Sequence, residues 1–152
     1  HFPEMEKVHS DLEVMEICQV PQAVIYPKEF GTKKDIADFQ DSVFYLSADA
    51  PVEYSRANLE QICVQKEFIP KTKVVPNHAT LLSLMDREDS AAIMDLWCQP
   101  IYDKKFKYVR LEASVPIVGA FRKNCAHAKI IRMLYETLAE RYGEEVMIII
   151  RK

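Results

Sequence analysis

Two hydrophobic periods alternate along this chain, and their alternation restricts the fold more than any other feature of the sequence. The stretch LEVMEICQVPQAVIYP, residues 12–27, is rich in β-branched residues and ends at a proline, which predicts one or two strands. Later segments space their apolar residues three and four apart, as helices do. Because strands and helices are interspersed without a strict βαβ rhythm, the sequence predicts an α+β fold. We expect several α-helices on a small, mostly antiparallel sheet of three to five strands.

Individual segments refine this prediction. From Lys33 onward the spacing of Ile36, Phe39 and Val43 predicts a helix, and Asn77 is suited to cap a short leucine-rich helix. The alternating segment KKFKYVRLEASV predicts a strand that ends at Pro116. The longest helix is then expected from residue 117 to residue 142, stopped by Gly143. The apolar run EVMIII that follows it predicts a final interior strand.

Length and composition indicate one globular domain, residues 1–152. Hydrophobic residues make up 49% and charged residues 28% of the chain, which is the ordinary globular range. A chain of this length buries enough surface to fold without a metal or disulfide. It opens on His1, without an initiator methionine, which is compatible with a domain excised from a longer chain.

Charge, glycine and cysteine usage exclude several functional classes. The net charge of −3 gives the chain no global attraction for nucleic acid or anionic membranes. Three glycines leave no phosphate-binding loop, so no nucleotide cofactor is expected. The four cysteines form no Cys-x-x-Cys pair, which predicts no metal site and favours a reduced, cytoplasmic protein. No apolar run is long enough to suggest a membrane span.

One motif offers a catalytic alternative. The sequence RKNCAH places Arg122 and His127 five positions apart near the C-terminus. Guanidinium pairs with phosphate and imidazole transfers protons near neutral pH. This spacing resembles the signature of HEPN-domain ribonucleases, although Lys123 stands where that family usually has another polar residue. The resemblance implies a metal-independent RNA-cleaving site in an all-helical dimer, with the arginine at the phosphate and the histidine at the 2′-hydroxyl.

Two further features are candidate binding sites. Basic and aromatic residues interleave in DKKFKYVR, a pattern used to hold phosphates and stack bases, and its binding candidates are Lys105, Lys107, Tyr108 and Arg110. His78 follows a proline and an asparagine before a leucine-rich helix, where a histidine can face a cleft. The basic segment is also compatible with an ordinary half-buried strand. His78 is also compatible with the first turn of a helix.

On a continuous helix, Arg122 and His127 would point in different directions and could not act on one group. The sequence therefore favours a non-catalytic regulatory domain. Its abundance of Met, Tyr and Phe suits adaptable contact surfaces, so we expect protein–protein contacts or self-association as a homodimer. Nucleic-acid binding is not favoured. Two alternatives remain: the ribonuclease built on Arg122 and His127, and a sensor that binds a small ligand in a pocket between sheet and helices.

Overall fold

The computed structural model of the chain describes residues 11–98 and 104–151. Five strands form one sheet in the order β3-β2-β4-β1-β5. The strands are β1 (Leu12–Pro27), β2 (Val43–Ser47), β3 (Lys71–Val75), β4 (Ser90–Asp95) and β5 (Phe106–Arg122). The α-helices are α1 (Val52–Val64), α2 (His78–Met85) and α3 (Ala128–Arg151). The mixed α+β class predicted from the sequence is thereby confirmed.

The pairing of the strands differs from the prediction. β2 runs parallel to both of its neighbours, β3 and β4, whereas β1 pairs with β4 in the antiparallel sense. The expectation of a mostly antiparallel sheet is therefore wrong in this part of the chain. The physical reason is the connections, because parallel neighbours need a crossover and helices α1 and α2 provide the two crossovers from β2 to β3 and from β3 to β4.

Both faces of the central strands are buried, each against a different helix. Along β2, Phe44 and Leu46 belong to a core with Leu59 and Cys63 of α1, whereas Tyr45 belongs to a second core with Leu81 and Met85 of α2. Successive residues of a strand point to opposite faces, which explains this division. The central strands are consequently covered on both sides, and they read as continuous apolar runs.

Local capping sets the start of α2. The side chain of Asn77 accepts a hydrogen bond from the backbone N–H of Thr80 at 2.9 Å, as its position in the sequence predicts. In contrast, the helix expected from Lys33 is wrong. Residues Ile36–Phe39 form a short 3-10 helix with a capping box at Asp35, and the following residues enter β2. The periodicity of three is correct there, but it extends for only one turn.

The C-terminal part departs further from the prediction. β5 passes through Pro116 and ends at Arg122, so the expected helix from residue 117 is wrong, and α3 begins only at Ala128. Gly143 does not stop α3, which extends through EVMIII to Arg151, and the predicted final strand is therefore also wrong. Apolar residues at 138, 142, 146 and 150 continue a spacing of four through this run, which suits a helix as well as a strand.

The chain divides into two compact units, residues 21–113 and the pair of segments 1–20 and 114–152. Whether they fold as the single domain 1–152 stays a prediction. In the second of these units, Arg132 of α3 makes a bidentate ion pair with Glu13 of β1. Its Nε lies 3.0 Å from Glu13 Oε1 and its Nη2 lies 2.7 Å from Glu13 Oε2. The ring of Tyr135 packs on Phe121, with centroids 5.9 Å apart. Across the described residues, no helix is both long and apolar enough to span a membrane.

Candidate ligand pocket

A pocket of about 370 Å³ opens within the unit formed by residues 21–113. This volume lies in the range of sites that bind small organic molecules. Its apolar lining comes from β2, β4 and the two crossover helices: Phe44, Leu46, Leu59, Leu81, Ile93 and Met94. Its polar lining comes from β1, the end of β2, the loop that follows β2, and the two helices: Gln22, Ser47, Asp49, Ser55, Asn58 and His78. An apolar body with a few polar groups is therefore the kind of molecule it can hold.

The topology of the sheet explains why a pocket forms at this place. β2 and β4 are neighbours, but the chain leaves β2 toward β3 on one side and leaves β4 toward β5 on the other. In open parallel sheets, such a switch in direction opens a crevice at the carboxyl ends of the strands, and ligands bind there. The pocket lies at that position, since Ser47 ends β2 and Met94 lies near the end of β4.

Asp49 organises the polar rim of the pocket. Its Oδ2 accepts a hydrogen bond from the backbone N–H of His78 at 2.8 Å, at the first residue of α2. The same oxygen accepts a hydrogen bond from Ser47 Oγ at 3.2 Å. A carboxylate at a helix N-terminus satisfies a donor that has no partner within the helix and interacts favourably with the helix dipole. Asp49 therefore joins the end of β2 to the start of α2.

A pair of side-chain amides forms the opposite polar group. Gln22 of β1 lines the pocket although only 7% of it is exposed, and its Oε1 accepts a hydrogen bond from Asn58 Nδ2 of α1 at 3.2 Å. This bond uses the acceptor of one amide and a donor of the other. The Nε2 hydrogens of Gln22 and the Oδ1 of Asn58 are therefore left to bond with other groups. A buried amide with remaining capacity at a cavity can select a ligand by hydrogen bonding.

Tyr45 also lines the pocket, but its hydroxyl is engaged elsewhere. The phenol donates to the carboxylate of Glu88, whose other contact is Lys73 at 3.2 Å. Burial, followed by this contact with Glu88, raises the pKa of Tyr45 to about 12. The phenol consequently stays protonated at neutral pH and contributes its ring to the wall of the pocket.

Of the residues singled out from the sequence, His78 is the one that lines this pocket. Lys105 instead pairs with Asp86 at 2.7 Å, and Lys107 donates to the carbonyl of Gly31 at 3.0 Å. Tyr108 and Arg110 are exposed on β5. The described contacts of the two lysines lie within the protein and outside the pocket, and a binding role for this basic segment stays a prediction.

The candidate catalytic pair lies outside a helix. Arg122 is the last residue of β5 and His127 immediately precedes α3, and both are exposed. Between them the chain turns, with the N–H of Cys125 donating to the carbonyl of Arg122 at 3.0 Å. The all-helical fold that the ribonuclease resemblance implies is wrong, because the described residues include a five-stranded sheet. The catalytic role of the pair is untested by this arrangement.

Metal and thiol chemistry find little support in the described residues. No group of three or more potential metal ligands comes together among them. The four cysteines are free thiols: Cys18 and Cys63 are buried, and Cys98 and Cys125 are partly buried. Burial raises the pKa of the Cys63 thiol to about 12, which keeps it protonated and unreactive.

Sequence reasoning missed most of the polar lining, namely Gln22, Ser47, Asp49, Ser55 and Asn58. For Ser47 and Asp49 a signal existed, because polar residues directly follow the apolar run VFYL before Pro51 opens α1. Recognising that run as a buried parallel strand predicts functional side chains at its carboxyl end. Gln22 and Asn58 carry no such signal, since their meeting depends on how β1 and α1 pack.

Comparison with known proteins shows what the fold resembles. The sequence matches no protein-family model and no curated protein. Solved structures do match. CbnR, a LysR family transcriptional regulator, gives a TM-score of 0.66 at 18% identity, over 89% of this chain and 49% of its own. An OxyR mutant from Corynebacterium glutamicum gives a TM-score of 0.70 at 12% identity, and the match covers 93% of this chain and 47% of the OxyR chain. The effector binding domain of QuiR in complex with shikimate gives a TM-score of 0.60 at 16% identity, and the match covers 90% of this chain and 67% of the QuiR chain.

These identities are low, so the likeness establishes the fold. The chain shares its fold with a part of CbnR and a part of the OxyR mutant, and it spans about half the length of each. One of the three similar structures is an effector-binding domain with a small molecule bound. The comparison therefore supports the small-ligand alternative over the favoured interpretation of protein–protein contacts.

Proposed function

We propose that this chain is a regulatory domain that senses a small molecule, which binds in the pocket at the carboxyl ends of β2 and β4. The observation that carries the proposal is the pocket itself. A cavity of about 370 Å³ combines an apolar wall with a buried amide, Gln22, and a carboxylate, Asp49, on opposite elements. The likeness to an effector-binding domain supports the same conclusion independently.

The elements around the pocket suit a sensor. Its lining draws on β1, β2, β4, α1 and α2, so a ligand that contacts several of them links segments distant in sequence. Binding to the folded state alone stabilises that state and shifts any equilibrium between arrangements of these elements. A ligand at this place can therefore report its presence to the rest of the protein.

We propose further that this ligand sensing regulates transcription. Full-length CbnR has been solved in complex with its target DNA, and this chain covers 50% of that structure at a TM-score of 0.62. A cytoplasmic location and association with DNA in the intact regulator follow as parts of the proposal. Self-association remains a prediction, which sedimentation at two protein concentrations measures.

The test is ligand binding observed at the pocket. Small molecules are screened by the chemical shifts of backbone amides, with Ser47 and His78 as reporters. A Ser55→Trp variant fills the pocket from α1, and Glu60→Trp adds the same side chain to an exposed position of the same helix. We expect ligands that shift both reporters in the parent and in Glu60→Trp but not in Ser55→Trp. Ligands that bind all three proteins equally, or no ligand at the reporters, would refute the proposal.

A further inference from the structure

The geometry points to the chemical class of the ligand: a small molecule with an apolar body that bears a hydrogen-bond-donating nitrogen and no negative charge. This inference rests on the proposed function, because it concerns the same pocket. It follows from two features of the lining, which are the sign of its charge and the hydrogen-bonding capacity that its polar groups leave over.

The charge of the lining is the first feature. Asp49 contributes a carboxylate, and among the described residues that line the pocket none is a lysine or an arginine. Carboxylate ligands are usually held by guanidinium or ammonium groups, or by the open N-terminus of a helix. The described lining offers neither of these two cations, and His78 is its one side chain that can be protonated to a cation.

The N-terminus of α2 is the second place where an anion could bind, and the protein's own carboxylate already occupies it. The N–H of His78 donates to Asp49 Oδ2, and the N–H of Thr80 donates to the Asn77 side chain. A ligand carboxylate at this position would lie beside Asp49, and two like charges in contact repel each other. Asp49 therefore disfavours an anionic ligand there.

The same carboxylate favours a donor. Both described hydrogen bonds to the Asp49 carboxylate end on Oδ2, and a carboxylate accepts at both oxygens. An N–H group of a ligand can bond to Oδ1 without breaking the link between Ser47 and α2. Because Asp49 is exposed at the rim, solvent reduces this attraction, and the selection for a charged amine over a neutral amide is modest.

Gln22 and Asn58 extend the preference to uncharged polar groups. Their mutual bond leaves Gln22 Nε2 to donate and Asn58 Oδ1 to accept. A neutral group that both donates and accepts, such as a carboxamide, matches this pair, whereas a carboxylate cannot donate to Asn58. Shikimate, the ligand in the QuiR structure, is a carboxylic acid, so this inference separates the chain from that neighbour.

Three probes of one size test the inference: benzylamine, benzamide and benzoate. Each is titrated into the 152-residue chain while the amide shifts of Ser47 and His78 are followed. We expect benzylamine and benzamide to bind more tightly than benzoate. Asp49→Asn should weaken benzylamine about fivefold, the upper range for an exposed ion pair, and leave benzamide unchanged. Asparagine keeps an oxygen for the N–H of His78, so the fold should persist.

Glu53→Gln is the matched control, because it removes the same charge from the first turn of α1 at a residue outside the pocket lining. It should leave all three affinities unchanged. Benzoate binding as tightly as benzamide or benzylamine at the reporters would overturn the ligand class and leave the sensor proposal intact. An equal effect of Glu53→Gln and Asp49→Asn would overturn the role of Asp49. If no probe shifts the reporters, the ligand class falls, whereas the sensor proposal falls only if the wider screen also finds no ligand at Ser47 and His78.

Discussion

Gly119→Ala tests how β5 and α3 pack in the unit formed by residues 1–20 and 114–152. A Cβ atom built at Gly119 would overlap Cε2 of the Tyr135 ring and lie 2.5 Å from its Cζ. Carbon atoms in contact are normally about 3.5–4.0 Å apart. The ring must therefore move by about 1 Å or more, which would alter its contact with Phe121. Glycine at this position is required by the close approach of an aromatic ring.

The magnitude follows from two opposing effects. Overpacking of this kind costs about 1–3 kcal/mol. Replacing glycine by alanine in a strand otherwise stabilises the fold by about 0.4–1 kcal/mol, because the unfolded chain loses freedom. We expect a net loss of about 1–2 kcal/mol for Gly119→Ala, since the first effect is the larger. With Tyr135→Ala in the background the obstacle is gone, and the same change should be neutral or slightly stabilising.

Urea denaturation of the parent, the two single variants and the double variant measures this coupling. Gly31→Ala is the control, because nothing lies within 4 Å of its Cβ and its φ of 82° alone makes alanine unfavourable. That cost, about 1–3 kcal/mol, should be the same with and without Tyr135. If Gly119→Ala costs the same in both backgrounds, the ring of Tyr135 is not the obstacle and the packing argument fails.

Three further predictions concern the other unit. Arg56 Nε is buried without a hydrogen-bond partner in the described structure, so Arg56→Met should raise the free energy of unfolding by about 1 kcal/mol; no gain in urea would contradict this. Hydrogen bonds from Tyr45 and Lys73 lower the pKa of Glu88 from 4.5, so their stabilisation is present above about pH 4.5 and is lost as the pH falls through the folded-state value. Tyr45→Phe should therefore reduce the loss of stability in acid, and an unchanged acid profile would refute the link. Finally, a thiol reagent should leave Cys63 unmodified in the native protein but label it in urea; fast native labelling would contradict its burial.

A long strand carries enough apolar and β-branched residues to be predicted from the sequence, whereas a short strand does not. The segment 12–27 reads as strand from β-branched residues alone, and β1 occupies it. β2 is not predicted from the sequence, because Val43 continues the helical spacing of Ile36 and Phe39. A single 3-10 turn followed by a short strand therefore has the apolar pattern of one helix. The run EVMIII is the reverse case, since its five adjacent apolar residues fit a helix as well as a strand.

By itself the sequence determined the α+β class and the Asn77 cap, because these depend on local propensity. It also allowed a small-ligand sensor as one of three functional alternatives. Tertiary structure alone decided the rest. Parallel pairing of β2 with β3 and β4 creates the crevice, and the packing of β1 against β4 places Gln22 beside Asn58 of α1. Such contacts join residues far apart in the chain, here 22 with 58 and 49 with 78. No local pattern encodes them, because the free energy that fixes them comes from burying both faces of the sheet at once.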